Sequence, residues 1–178
     1  MYYAILLISF INVCKNMVPS PKPELYKKHM MRRRDARRLL DEAEALLGRV
    51  KSNTLSQAEM DDGTIVYIID GEVQLARSGD RLFPTLMNPS IEDLPAVVVD
   101  MGAVPYVCKG ADVMAPGIVE VQGRFSEGDY VVVRDVNNRK ALAIGTAMAP
   151  SEEVGKKEKG KTILNIHYVG DKLWNTVT

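Results

Sequence analysis

Asp70-Gly71, set between TIVYII (Thr64 to Ile69) and EVQLAR (Glu72 to Arg77), constrains the fold of this chain more than any other pair of residues. The flanking runs are β-branched and follow a period of two. A two-residue link between such runs needs positive φ at both central positions, which Asp-Gly supplies, so the segment predicts an antiparallel hairpin. Turn signals at Ser78-Gly79-Asp80, before RLFPTL, and at Asn88-Pro89-Ser90 extend the hairpin into a small sheet.

Upstream the period changes. Ala36, Leu39, Leu40, Ala43, Leu46 and Leu47 recur at three- and four-residue intervals. They predict an amphipathic helix of about three and a half turns, with Asp35 as N-cap and Gly48 as its stop. Between Lys22 and Arg38 stand eight basic residues and two acids, the densest positive charge in the chain. Arg32, Arg33, Arg34 and Arg37 fall on the approach and first turn of the helix, where its dipole disfavours cations. An external anion explains this secondary basic patch. So does a solvated face with Arg37 and Arg38 near Asp41 and Glu42.

The first 14 residues, MYYAILLISFINVC, are almost wholly apolar, but no basic residue precedes them and no small-residue cleavage site follows. A membrane-spanning helix is longer, and the prolines at 19, 21 and 23 break any helix that follows. Two readings stand side by side. The segment is a strand or short helix that packs on the body or on a second subunit, or it is upstream sequence translated from a misplaced start, with Met17 or Met30 the true beginning.

The whole chain has 178 residues, 46% apolar, with 23 Lys and Arg against 23 Asp and Glu. This composition excludes intrinsic disorder and an overall polycation, so any nucleic-acid affinity must come from local clustering. No apolar run is long enough to make a membrane a partner. Cys14 and Cys108 are isolated, which excludes a disulfide framework or zinc site and suits a reducing, cytoplasmic location. His29 and His167 are isolated too. With no acid–base dyad, activated cysteine or cofactor loop in view, the expectation is no catalytic residue, no metal and no cofactor.

In the C-terminal half, AVVVD (Ala96 to Asp100) reads as a buried strand that leads into a short helix capped by Asp100, with Pro105 near its start, ending near Gly110. Gly110, Pro116 and Gly117 then force a turn-rich loop. IVEVQ, YVVVRDV, a turn at Asn137-Asn138, KALAIGTAM, a polar helix at Ser151 to Lys157, and TILNIHYVGD follow, a spacing that indicates a small barrel. Val131, Val133, Leu142, Ile144, Ile163, Ile166 and Trp174 are assigned to the core, and packing is the role expected of His167 and Tyr168.

VVDMGAVPYVCKGADVMAPGI (Val98 to Ile118) resembles the PUA domain, the RNA-binding module attached to pseudouridine synthases and archaeosine transglycosylases. ILNIHYVGDKLW (Ile163 to Trp174) resembles the ending of one subgroup, the malignant T-cell-amplified protein and ligatin, translation-associated proteins in which a separate domain precedes the PUA. DGEVQLARSGDRLFPTL (Asp70 to Leu86) extends the likeness back to about residue 62; Met1 to Cys14 has no counterpart in it. The fold class expected is α+β: an N-terminal helix plus small antiparallel sheet, followed by a C-terminal PUA-like β-barrel. The domains expected are a segment at 1–21, a pre-PUA domain at 22–95 and a PUA domain at 96–178.

The resemblance implies that RNA lies along the short helix and its loop, touching Gly102, Ala103, Lys109, Gly110, Ala111, Asp112, Met114, Pro116 and Gly117, with Lys156, Lys157, Lys159 and Lys161 on the flank. Small residues at Gly110 and Ala111 let a phosphodiester approach main-chain N–H groups. The plainer readings are that Gly110 is a helix C-cap and that KKEKGK is a solvated loop. From Val98 onward ten basic residues balance ten acids, so shape and backbone contacts outweigh bulk attraction. The function implied is non-enzymatic binding of structured RNA, tRNA or rRNA, at the small ribosomal subunit in translation. The alternatives are an accessory module of an RNA-modification enzyme and a scaffold for a translation factor.

Overall fold

The computed structural model describes residues 23–48, 50 and 52–176. Both readings of the apolar segment at 1–21, together with Cys14 and Lys22, lie outside the described residues.

The hairpin at Asp70-Gly71 forms as its turn chemistry requires, with φ 51° at Asp70 and 95° at Gly71. It joins β3 (Ile65–Ile69) to β4 (Glu72–Ser78) within a five-stranded antiparallel meander. β1 (Tyr26–Met30) and β2 (Leu55–Glu59) precede the hairpin and β5 (Arg81–Pro84) completes the sheet, in the order β1-β2-β3-β4-β5. β1 and β2 were not expected from sequence. Every side chain of β1 is exposed, and in β2 only Leu55 and Ala58 are buried, so neither carries an apolar face that period alone reveals.

Between them runs α1 (Arg33–Leu47), whose buried Leu39, Ala43 and Leu47 pack on Tyr67, Ile69, Leu75 and Leu82. The helix begins two residues before the expected cap. Arg32 is extended and its carbonyl accepts the N–H groups of Asp35 and Ala36, so Arg32 is the N-cap and Asp35 sits inside the first turn, capping nothing. Gly48 ends the helix, donating its N–H to the Glu44 carbonyl.

The second sheet has six strands: β6 (Ala96–Val99), β7 (Val113–Met114), β8 (Ile118–Gln122), β9 (Tyr130–Asp135), β10 (Ala141–Ala147) and β11 (Lys161–Tyr168). Their order is β7-β11-β10-β9-β6-β8, with β6 and β9 parallel and the other pairs antiparallel. β7 and β8 lie at opposite edges, yet only Ala115–Gly117 separates them. Three residues reach about 10 Å. The sheet must therefore curl until its edges approach, which makes the half-barrel. With α1 and the first sheet ahead of it, the fold is α+β.

Three one-turn helices complete it: α2 (Val104–Val107), α3 (Ser151–Val154) and α4 (Lys172–Asn175). The polar helix expected to reach Lys157 stops at Val154; Gly155 follows it and the lysines continue as an exposed loop. Val97, Val99, Val131, Val133, Leu142 and Ile163 fill the barrel. A separate cluster joins Val66, Ile68 and Phe83 of the first sheet to Tyr130, Val132 and Ile144 of the second and to Leu173 and Trp174 of α4. Ile166 packs against this cluster while only partly buried. His167 is buried, its Nδ1 2.7 Å from the Asp171 carboxylate, which also caps α4 at the Trp174 N–H.

Candidate nucleic-acid interface

The site is built around both ends of α2. At its start the Asp100 carboxylate accepts the Ala103 N–H at 2.9 Å, which fixes the turn from which the helix leaves. Asp100 thus caps that turn, and Ala103, not Asp100, is the residue at the N-cap of α2. At its end Gly110 donates to the Val107 carbonyl and Ala111 donates to the Tyr106 carbonyl, both at 3.0 Å. This pair of bonds is a Schellman cap, with Gly110 at φ 85° in its left-handed position. A Cβ at Gly110 would lie 2.8 Å from the Tyr168 ring, so the plainer C-cap reading holds here and Tyr168 is a packing residue.

The cap changes what the loop offers. The N–H groups of Gly110 and Ala111, expected to meet phosphate, already have acceptors. What they present outward is low-profile surface, and the charge beside them comes from the exposed Lys109.

Asn165 of β11 fastens the loop from beneath. Its Nδ2 donates to the Val107 and Ala111 carbonyls, each at 3.1 Å, and its backbone N–H donates to the Asp112 carboxylate at 2.8 Å. Asp112 in turn pairs with Lys161 at 2.5 Å. Burial pushes the Asp112 carboxyl up, but the hydrogen bond from Lys161 and the Asn165 amide outweigh it and hold the group below the usual carboxylate range. Asp112 and Lys161 therefore brace the loop. Asn165 was not singled out from sequence; its signal is a lone amide in the otherwise apolar alternation of TILNIHY.

Two segments distant in sequence meet at this loop. Met114 pairs with Lys161 across β7 and β11, and the Ala115 N–H donates to the Gly160 carbonyl at 2.8 Å. The result is one surface on which Gly102, Lys109, Ala111, Met114, Pro116, Lys156, Lys157 and Lys159 are exposed and Ala103, Gly110, Asp112 and Gly117 are half-buried. Gly117 is small for packing: a Cβ there would stand 3.1 Å from that of Ala103. Tyr106, on α2, is 68% exposed and adds an aromatic face that the sequence reading did not include. Arg32, Arg33, Arg34 and Arg37 are not part of this surface. They stand on α1 and its approach, against the first sheet.

Among the described residues no group of three or more His, Cys, Asp or Glu could hold a metal ion, and no helix is long and apolar enough to cross a membrane.

The PUA domain family matches residues 95–169. The chain is 35% identical over 133 residues to translation machinery-associated protein 20 of Saccharomyces cerevisiae, covering 70% of this chain and 74% of that protein. It is 34% identical over 123 residues to malignant T-cell-amplified sequence 2 of Homo sapiens, covering 65% of this chain and 67% of that one. Among solved structures, a PUA domain protein from Aeropyrum pernix superposes with a TM-score of 0.74 at 28% identity, covering 86% of this chain and 91% of that one.

Proposed function

Because the chain belongs to the PUA-domain family that includes translation machinery-associated protein 20 and the malignant T-cell-amplified sequences, we propose that it is a non-enzymatic protein that binds structured RNA, tRNA or rRNA, through α2 and the loop after it. The translation-related names of its relatives support a role at the small ribosomal subunit, in the cytoplasm, with RNA or a translation factor as partner.

One observation carries the reading. β7 and β11 bring the 110–117 loop against the 156–161 loop, and Lys109, Lys157 and Lys159 form no salt bridge among the described residues. Small residues leave room for a sugar–phosphate backbone, unpaired ammonium groups neutralise it, and Tyr106 offers a base a stacking face. Contacts of this kind read shape and backbone more than sequence.

The test is RNA binding by Ala111→Glu, measured by fluorescence anisotropy, together with crosslinking and sequencing of the RNA bound in cells. Ala111 is exposed, so the variant keeps its fold while adding bulk and negative charge. Affinity is expected to fall at least tenfold, about 1.4 kcal/mol. Lys109→Ala is expected to weaken binding less, and equally across RNA sequences. Full affinity in a folded Ala111→Glu variant overturns the assignment, and RNA modification or cleavage by the purified chain overturns the non-enzymatic part.

A further inference from the structure

We infer that α1 carries a second polyanion-binding face, separate from the barrel surface, that takes the phosphate backbone of RNA.

The argument begins with charge placed against its local interest. Arg33, Arg34, Arg37 and Arg38 are all exposed in the first two turns of α1, and Arg32 is its N-cap. Arg33 with Arg37, and Arg34 with Arg38, are like charges four apart on a helix, and such pairs repel. The positive end of the dipole lies beneath them. Asp35 is in the first turn, but Asp41, Glu42 and Glu44 come later and the last turn has no basic residue, so the net charge along α1 runs against what the helix favours.

Compensation from neighbours does not remove the excess. Glu42, one of the two acids expected near Arg37 and Arg38, is engaged by Arg77 of β4 at 2.6 Å. Arg34 reaches Asp35 only at 3.8 Å, and Arg32, Arg33, Arg37 and Arg38 have no ion pair among the described residues. Arg37 and Arg38 thus form no ion pair with Asp41 or Glu42. Lys28 of the exposed strand β1 stands just before the helix and adds to the same sign.

The occupant follows from composition. A protein interface needs apolar anchors at its centre, where charge is depleted. Between Arg33 and Arg38 the only apolar side chain is Ala36, which is half-buried against the sheet, and the exposed Met30 precedes the arginines instead of standing among them. A phosphate backbone asks only for cations at close spacing, and planar guanidinium groups meet phosphate oxygens in pairs.

The test uses the full chain, bulk tRNA as the probe, and a series of salt concentrations. Changing Arg33, Arg34, Arg37 and Arg38 together to Gln should flatten the slope of log K against log salt by about three units, at roughly 0.7 to 0.9 per phosphate contact. The same four positions as Lys should keep the slope. Single changes, Arg33→Gln or Arg37→Gln, should each remove about 0.7 to 0.9, which keeps the test open if the fourfold variant unfolds. An unchanged slope in folded variants overturns the inference, and so does poly-glutamate that binds through these arginines while the tRNA slope stays as it was.

Ala111→Glu separates this face from the barrel. Lower affinity with the slope retained, beside a flattened slope in the Gln variant, supports both surfaces. Undiminished affinity in Ala111→Glu with the slope still lost in the Gln variant leaves α1 standing and the barrel reading overturned. Absence of any tRNA binding at low salt overturns both.

Discussion

Gly110 and Ala111 are adjacent, and they are expected to answer substitution in opposite ways. Gly110 holds φ 85° with Tyr168 packed where a Cβ would go, so Gly110→Ala combines backbone strain with a clash against a ring. A loss of about 1–3 kcal/mol in unfolding free energy is expected, read by urea titration. Ala111 has open space outward, and its substitution should change binding while leaving the melting temperature nearly alone. Asn165 lies beneath both. Asn165→Ala would strip two donors from the Val107 and Ala111 carbonyls, about 0.5–1.5 kcal/mol each. Hydrogen exchange should then quicken at the amides of 107–112 before the rest of the barrel is affected, and equal protection there would show that the loop stands without Asn165.

Among the elements, the joint between β7 and β11 carries a pH signature, as do other bonded carboxylates such as Asp70. Lys161 and the Asn165 amide lower the Asp112 carboxyl below its ordinary 3.8 in the folded state. A group depressed on folding adds stability that is complete above the unfolded value and is lost as pH falls through the folded one. The Asp112 contribution should therefore persist at neutral pH and fade in the acid range below about pH 4, near the unfolded aspartate value. Asp112→Asn should flatten that acid limb in a series of thermal melts; an identical limb in the variant would exclude Asp112 as its source. This joint also shows what sequence made legible and what it did not. The β3–β4 hairpin is readable because its turn chemistry is local, carried by Asp70 and Gly71 alone. β1 and β2 are not, since an exposed strand such as YKKHM has no apolar face and is defined by its pairing with LSQAE. The loop of the candidate site is visible as a motif. Its donors being spent is not, because that depends on the Schellman cap, and the Asn165 bond to Val107 spans 58 positions.

Over the whole molecule, the two sheets share a core, and this decides how the chain unfolds. Phe83 and Val66 from the first sheet, Tyr130 and Ile144 from the second, and Trp174 from α4 belong to one buried cluster. Polar ties cross the same boundary: the Tyr130 hydroxyl donates to the Leu82 carbonyl at 2.6 Å, and Arg81 donates to that hydroxyl at 3.0 Å while its guanidinium stands 5.1 Å from the centre of the ring. Lys172 of α4 reaches Asp61 in the turn before β3 at 3.1 Å. Separating the sheets would expose this cluster to water, at about 25 cal/mol for each Å² of apolar surface. A single cooperative transition is therefore expected, with the fluorescence of Trp174, the only tryptophan in the chain, and the far-ultraviolet circular dichroism moving together in urea. Tyr130→Phe should lower the midpoint of both signals equally, since it removes a buried donor and leaves the Leu82 carbonyl without it, a loss of about 1–3 kcal/mol. Two separated transitions, or a fragment of residues 95–178 as stable as the full chain, would show that the barrel does not depend on the first sheet. If the coupling is as the shared core requires, the α1 arginines and the barrel loop are carried on one body. An RNA long enough to reach both would then be held at higher effective concentration than by either alone.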